Sequence, residues 1–168
     1  MPKISLAEVV SEFGREAAAK LSSPAASGEP EDQLRGPFEQ LLKQLALLCG
    51  HKAGSVVAVG ESSIAALRTR PDYAVTVGSA LVGFVELKAP GKGADPRRFK
   101  GHDKSQWQRL QCLPNLLYTD GNAFSLWRNG ELAGAIERLD GDIETSGAAL
   151  KADPGLQSLF EHFLQFAL

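Results

Sequence analysis

The segment Leu81 to Ala89 (LVGFVELKA) constrains this chain more than any other. It is the strongest strand in the sequence, preceded by the tight-turn pair Gly78-Ser79 and ended by Pro90-Gly91-Lys92-Gly93. Side chains alternate across a strand, so Val85 and Leu87 point into a core while Glu86 and Lys88 share the other face. A second strand candidate, Asp72 to Val77, lies just before the turn. If the two pair as a hairpin around Gly78-Ser79, the start of the first lies near the end of the second. Asp72 then meets Glu86 and Lys88 in space, despite fourteen residues of separation.

Helical patterns precede this hairpin. Leu6, Val9, Val10, Phe13 and Ala17 recur at three- and four-residue steps behind Ser5, a candidate N-cap with Glu8 three residues on. Ser22 to Glu31 has loop composition. A second helix starts near Gly36-Pro37, carries Phe38, Leu41, Leu42, Leu45 and Leu48 on one face, and stops at Gly50. Ser55 to Val59 reads as a short strand, and Ser62 to Leu67 as a weak helix or loop.

After the hairpin, Lys104 to Cys112 reads as a short helix stopped by Pro114. Strands follow at Leu116 to Thr119, Phe124 to Arg128 and, after the Asn129-Gly130 turn, Glu131 to Ile136. Residues 139–152 are loop-like, and Asp153-Pro154 caps a last helix with Leu156, Leu159, Phe160, Phe163 and Leu164. No internal repeat is present. The order implies a mixed α/β domain with a central sheet flanked by helices. Its expected divisions are an N-terminal helix and linker (1–35), a core (36–138) and a closing loop and helix (139–168).

The 168 residues suit one domain, and 43% apolar with 23% charged residues is ordinary for a soluble globular protein. A net charge of −2 argues against coating nucleic acid or membranes by bulk charge. Cys49 and Cys112 cannot build a disulfide framework, which suits a reducing cytoplasm. No apolar run approaches the length of a membrane helix, and Glu8 and Glu12 interrupt any secretion signal. The ending Phe166-Ala167-Leu168 is unusually apolar. Either the last helix closes the core, or the chain is the excised front of a longer protein, in which case Phe166 and Leu168 are exposed.

Two carboxylates converging at a sheet edge make a hard oxygen site of the kind Mg²⁺ prefers, with water and substrate phosphate filling the remaining positions. A lysine beside such a cation helps deprotonate or orient an attacking water and balances charge on a phosphoryl group. On these residues the sequence resembles the PD-(D/E)xK nuclease superfamily, through Pro71-Asp72 and Glu86-Leu87-Lys88. The resemblance implies a restriction-endonuclease-like fold and a Mg²⁺-dependent DNA endonuclease, with Mn²⁺ a possible substitute. It implies that Asp72, Glu86 and the main-chain carbonyl of Leu87 bind the metal and that Lys88 serves the attacking water. Glu39, on the border of the apolar stripe of the second helix, matches the glutamate that many members carry there.

The run Ser105 to Leu126 also resembles nuclease domains at the front of fused restriction–modification enzymes, in which a DNA methyltransferase follows. Gln106 matches the family glutamine, which positions substrate or water; Leu110 stands where related nucleases often carry an aromatic residue. The implied partners are double-stranded DNA, a methyltransferase (a domain that follows Leu168 or a separate protein), and a possible second copy in a homodimer. The implied setting is restriction–modification or phage defence, without a membrane.

Local charge agrees with a nucleic-acid substrate. Between Ile64 and Leu110 nine bases (Arg68, Arg70, Lys88, Lys92, Arg97, Arg98, Lys100, Lys104 and Arg109) face four acids (Asp72, Glu86, Asp95 and Asp103). That window is +5 and the remainder of the chain −7. All the bases except Arg68 and Lys88 are candidate DNA contacts, and their binding would be salt-dependent.

His51, His102 and His162 show no zinc-ligand spacing with Cys49, and Trp107 and Trp127 are expected in the core. There is no GxxxxGK[ST] or GxSxG motif. Two rival readings remain: a non-catalytic DNA-binding or assembly module that keeps the fold, and a nuclease active only with a methyltransferase or translocase partner.

Overall fold

The computed structural model describes residues 4–23, 25, 28–60 and 70–168; the stretch Ser62 to Leu67 and Arg68 lie outside the described residues. Helix α1 (Leu6–Leu21) begins where the sequence predicts, with the Ser5 hydroxyl accepting the Glu8 N–H at 3.2 Å. It buries Val9, Val10, Phe13 and Ala17. The expected loop ends earlier than its composition suggests. Pro30–Leu34 forms a 3₁₀ turn that runs directly into α2 (Arg35–Leu48), because Glu29 and Asp32 cap it reciprocally and Pro30 is preorganised for a helical start. Phe38, Leu41, Leu42 and Leu45 of α2 are fully buried.

Among the described residues, seven strands form one mixed sheet in the order β1 (Val56–Gly60), β2 (Tyr73–Val77), β3 (Ala80–Leu87), β4 (Leu116–Thr119), β5 (Ala123–Arg128) and β6 (Glu131–Leu132). The remaining strand, β7 (Glu137–Arg138), also pairs with β5. Only β3 and β4 run parallel, joined through α3 (Gly101–Leu110); the other pairs are antiparallel. The strand expected over Glu131 to Ile136 is therefore split. Gly134 adopts φ +75°, which turns the chain away from β5 before it re-pairs at Glu137. Helix α3 starts three residues before the expected Lys104 and ends at Leu110.

The hairpin forms as predicted, and its register carries a detail that no local pattern shows. Gly78 and Ser79 both take positive φ (55° and 70°), the geometry of a two-residue I′ turn, and Val77 faces Ala80. Continued without interruption, that register would set Asp72 across from Val85. An extra residue, Val82, is inserted between the Thr76–Leu81 and Val75–Gly83 pairs, so Tyr73 faces Val85 and Asp72 falls across from Glu86. Buried Asn115 holds this bulge, donating its side-chain N–H groups to the carbonyls of Val82 and Phe163, both at 2.9 Å.

The sheet separates two layers. Tyr73, Val75, Val85, Leu87, Leu117, Phe124 and Leu126 pack on α1, α2 and α4 (Gly155–Leu164). Ala74, Phe84, Leu116, Tyr118 and Trp127 point the other way, toward Phe99, Trp107 and Leu110. Both tryptophans are core residues, as expected. The final helix closes the first layer with Phe160, Phe163 and Leu164, while Phe166 is half-buried under the Arg128 guanidinium and Leu168 is 54% exposed. The 139–152 loop includes a 3₁₀ turn (Gly147–Ala149) so close to α1 that a Cβ on Gly14 would collide with the Gly147 carbonyl. No helix of the described residues is long and apolar enough to cross a membrane.

Candidate active site

The bulged register brings the two acids together. Asp72 immediately precedes β2, and its N–H donates to Glu86 Oε1 at 3.2 Å. The Leu87 N–H donates back to Asp72 Oδ2 at 2.7 Å. One turn of α3 completes the group from above. Lys88 Nζ donates to Gln106 Oε1 at 2.6 Å and to Asp103 Oδ1 at 2.9 Å, and lies 3.3 Å from Glu86 Oε2. Asp72, Glu86, Lys88 and Gln106, predicted from sequence, are thus assembled in one place.

Glu86 and Lys88 are only 4% and 5% exposed, which makes their charge states matter. Burial, then the neighbouring Asp72 carboxylate, pushes the Glu86 carboxyl up to about 8, with Lys88 only partly offsetting them. Burial disfavours the Lys88 cation, but Glu86 and Asp103 outweigh it and the ammonium is held above its ordinary range. The ammonium, directed by Gln106, Asp103 and Glu86, is placed to orient a water or a phosphoryl oxygen.

Three further residues complete the site, and none is among the site residues expected from the sequence. Asp103 is also shared with Lys92, at 2.9 Å, and although burial raises its carboxyl, the two lysines pull it below its usual value. It precedes Gln106 by three residues, so the i, i+3 spacing on α3 was the available signal. Arg35 Nη2 donates to Asp72 Oδ1 at 2.7 Å while its guanidinium lies 5.3 Å above the Tyr73 ring. Asp120 fixes the loop after Lys88, accepting the N–H groups of Gly91 and Gly93 on one oxygen and those of Asn122 and Ala123 on the other.

Glu39 is not brought into the group. It accepts the Tyr73 hydroxyl at 2.9 Å and lines a cavity between α2 and β1 with Leu42, Val56 and Ala58. The helical wheel put Glu39 at the edge of the buried stripe, but Arg35, one turn earlier, is the α2 residue that reaches Asp72.

The donor set suits a hard divalent cation. Asp72, Glu86 and the Leu87 carbonyl supply two carboxylates and one neutral oxygen, the hard donors a Mg²⁺ ion takes alongside water and phosphate. Among the described residues there is no grouping of three or more His, Cys, Asp or Glu side chains fit to hold a metal. The two-carboxylate set matches a cation that keeps several water or substrate oxygens. A cation would also compensate the Glu86 charge that burial and Asp72 oppose. The part-buried Arg35–Asp72 pair competes with a cation for Asp72 Oδ1.

The basic candidates divide. Lys92 is tied to Asp103, and Arg97 grips Asp95 through two bonds (2.8 and 3.0 Å) while lying 5.1 Å above the Trp127 ring. Arg97, Arg98, Lys100 and Lys104 line an open groove of about 630 Å³ at the start of α3. Arg98, Lys100 and Lys104 are exposed and make no ion pair among the described residues, and Arg70 and Arg109 are exposed elsewhere. His102 is exposed beside the groove.

The sequence matches no protein-family model and no curated protein. Among solved structures, the fold is similar to a chain in a cryo-electron microscopy structure of a DrdV–DNA complex, with a TM-score of 0.58 at 20% identity. The match covers 92% of this chain but only 14% of that one. At this identity the likeness concerns the fold alone: a central mixed sheet flanked by helices, consistent with the restriction-endonuclease-like fold expected from the sequence.

Proposed function

We propose that this chain is a Mg²⁺-dependent DNA endonuclease domain of the PD-(D/E)xK kind, hydrolysing phosphodiester bonds. The observation that carries the reading is the convergence of Asp72, Glu86 and Lys88, from two strands, at one end of the β2–β3 hairpin. Asp72, Glu86 and the Leu87 carbonyl hold the cation, which supplies polarisation of the phosphoryl group and activation of water. Lys88, kept charged by Glu86 and Asp103, sits where it can hold the attacking water or neutralise charge growing on phosphoryl oxygens. Gln106 takes one Lys88 hydrogen and fixes its direction. Glu39 acts at a distance, steadying Tyr73 next to Asp72.

In the groove lined by Arg97, Arg98, Lys100 and Lys104, the bases that make no ion pair among the described residues, Arg98, Lys100 and Lys104, hold the DNA backbone. The DNA-bound state of the structurally similar DrdV supports this substrate. By resemblance the products carry 5′-phosphates, the setting is restriction–modification or phage defence in the cytoplasm, and a methyltransferase accompanies the chain, fused to it or as a separate protein.

One observation favours a second reading, a nuclease that waits for a partner. Asp72 is engaged by Arg35 and Lys88 by Asp103, so the two groups are partly occupied by the protein itself. Plasmid cleavage with Mg²⁺ tests both. Cleavage by the wild type that Lys88→Ala abolishes is the expected result. Cation binding without cleavage in the isolated chain favours the partner-dependent form. Equal cleavage by wild type and Lys88→Ala refutes the assignment.

A further inference from the structure

Tyr118 lies in β4 directly beside Glu86 in the parallel β3–β4 register, so both side chains project toward α3. Its ring is wedged between Phe99 and Trp107, edge-on to both, with centroids 5.8 and 5.9 Å away. The residue is fully buried and its hydroxyl has no hydrogen-bond partner among the described residues. Phenylalanine would fill the same space without an unpaired polar atom, so the hydroxyl calls for a physical explanation.

Bulk water does not reach the atom, and a neighbouring acceptor that shifts toward it would pair it. The charges acting on it are Glu86 first, then Asp103 and Asp72. Asp103 has one oxygen on Lys88 and the other on Lys92, both at 2.9 Å. Asp72 is held on both oxygens at 2.7 Å. Glu86 is the loosest of the three, with contacts at 3.2 and 3.3 Å. A carboxylate that ligates a cation through one oxygen leaves the other in need of a donor, and such outer contacts fix the ligand's orientation.

We propose that Tyr118 is a positioning residue for Glu86: its hydroxyl donates a hydrogen bond to that carboxylate when a divalent cation draws Glu86 away from the Asp72 N–H and Lys88. The proposal rests on the cation site proposed above. The test compares wild type, Tyr118→Phe and Asp72→Asn by Mg²⁺ calorimetry, together with thermal melting in the absence of divalent cation. Tyr118→Phe is expected to melt no lower than wild type without cation, and to bind Mg²⁺ about 10–100-fold more weakly. Affinity within twofold of wild type, or a lowered melting temperature without cation, overturns the proposal.

The chain has two tyrosines, and Tyr73 already donates to Glu39, so the tyrosine Raman doublet of the unsubstituted protein gives a second readout. It should shift toward the hydrogen-bond-donor pattern on Mg²⁺ addition; an unchanged doublet contradicts the assignment. If Asp72→Asn loses Mg²⁺ affinity while Tyr118→Phe keeps it, only the role of Tyr118 fails. If Asp72→Asn binds as tightly as wild type, the cation site fails and the role of Tyr118 with it.

Discussion

The two faces of β3 are built from alternate residues of one strand and follow opposite rules. Val85 and Leu87 enter an apolar layer in which Phe38 stacks on Tyr73 and Phe124 packs edge-on against Phe160. Glu86 and Lys88 turn to the other face, where the aromatic core of Phe99, Trp107, Tyr118 and Trp127 gives way at the end of the hairpin to buried charge. Apolar burial stabilises a fold by itself, whereas buried ion pairs often contribute little or less than an apolar replacement. The two apolar layers explain why the chain folds. The buried charge at the end of the second has no comparable stability argument, and function is the reading that accounts for it.

Substitutions on the two faces should therefore separate stability from chemistry. The largest stability loss belongs to the apolar face: Phe124→Ala should cost about 3–5 kcal/mol by chemical denaturation. Cleavage per folded molecule should stay unchanged. On the charged face, Lys88→Ala should lower the cleavage rate about 10²–10³-fold, the cost of removing one preorganised charge donor. If Phe124→Ala instead altered catalysis in the folded fraction, the division between the faces would be wrong.

The pH response sharpens the comparison. The Glu86 carboxyl titrates near 8 in the folded chain, above its ordinary value, so between about pH 5 and 8 the folded state holds the extra proton. Stability must then fall as pH rises through that window, because the unfolded state has already released the proton. Melting curves across the window should show a steeper decline for wild type than for Glu86→Gln. Added Mg²⁺ should flatten the wild-type decline by stabilising the ionised form. The smallest effect is expected at Arg35, whose pair with Asp72 is part-buried and should contribute about 1 kcal/mol. Arg35→Ala should lower stability by no more than that and tighten Mg²⁺ binding, since Asp72 loses a competitor; weaker binding would instead make Arg35 a support of the site.

What the sequence made legible was local. The Ser5 cap, the Gly78-Ser79 turn and the alternation of Val85, Glu86, Leu87 and Lys88 each depend on neighbours within a few residues, and each is present in the fold. What it hid was long-range. The Val82 bulge that sets Asp72 opposite Glu86 is held by Asn115, 33 residues away, which no strand pattern reveals. Glu39 borders the core stripe on the helical wheel and matches the glutamate that many resembling nucleases carry there. Only the three-dimensional position of the Tyr73 hydroxyl shows that Arg35 holds Asp72 instead. Charge counting found the basic window but could not foresee that Lys92 and Arg97 are neutralised by Asp103 and Asp95.

The central claim is that two acids joined by a bulged hairpin form a cation site within the buried charge at its end. Calorimetric titration with Mn²⁺ at pH 8, on wild type and Asp72→Asn, tests it most directly. Saturable binding by the wild type that Asp72→Asn loses is the predicted result. No binding by the folded wild type, or equal binding by both proteins, would contradict it.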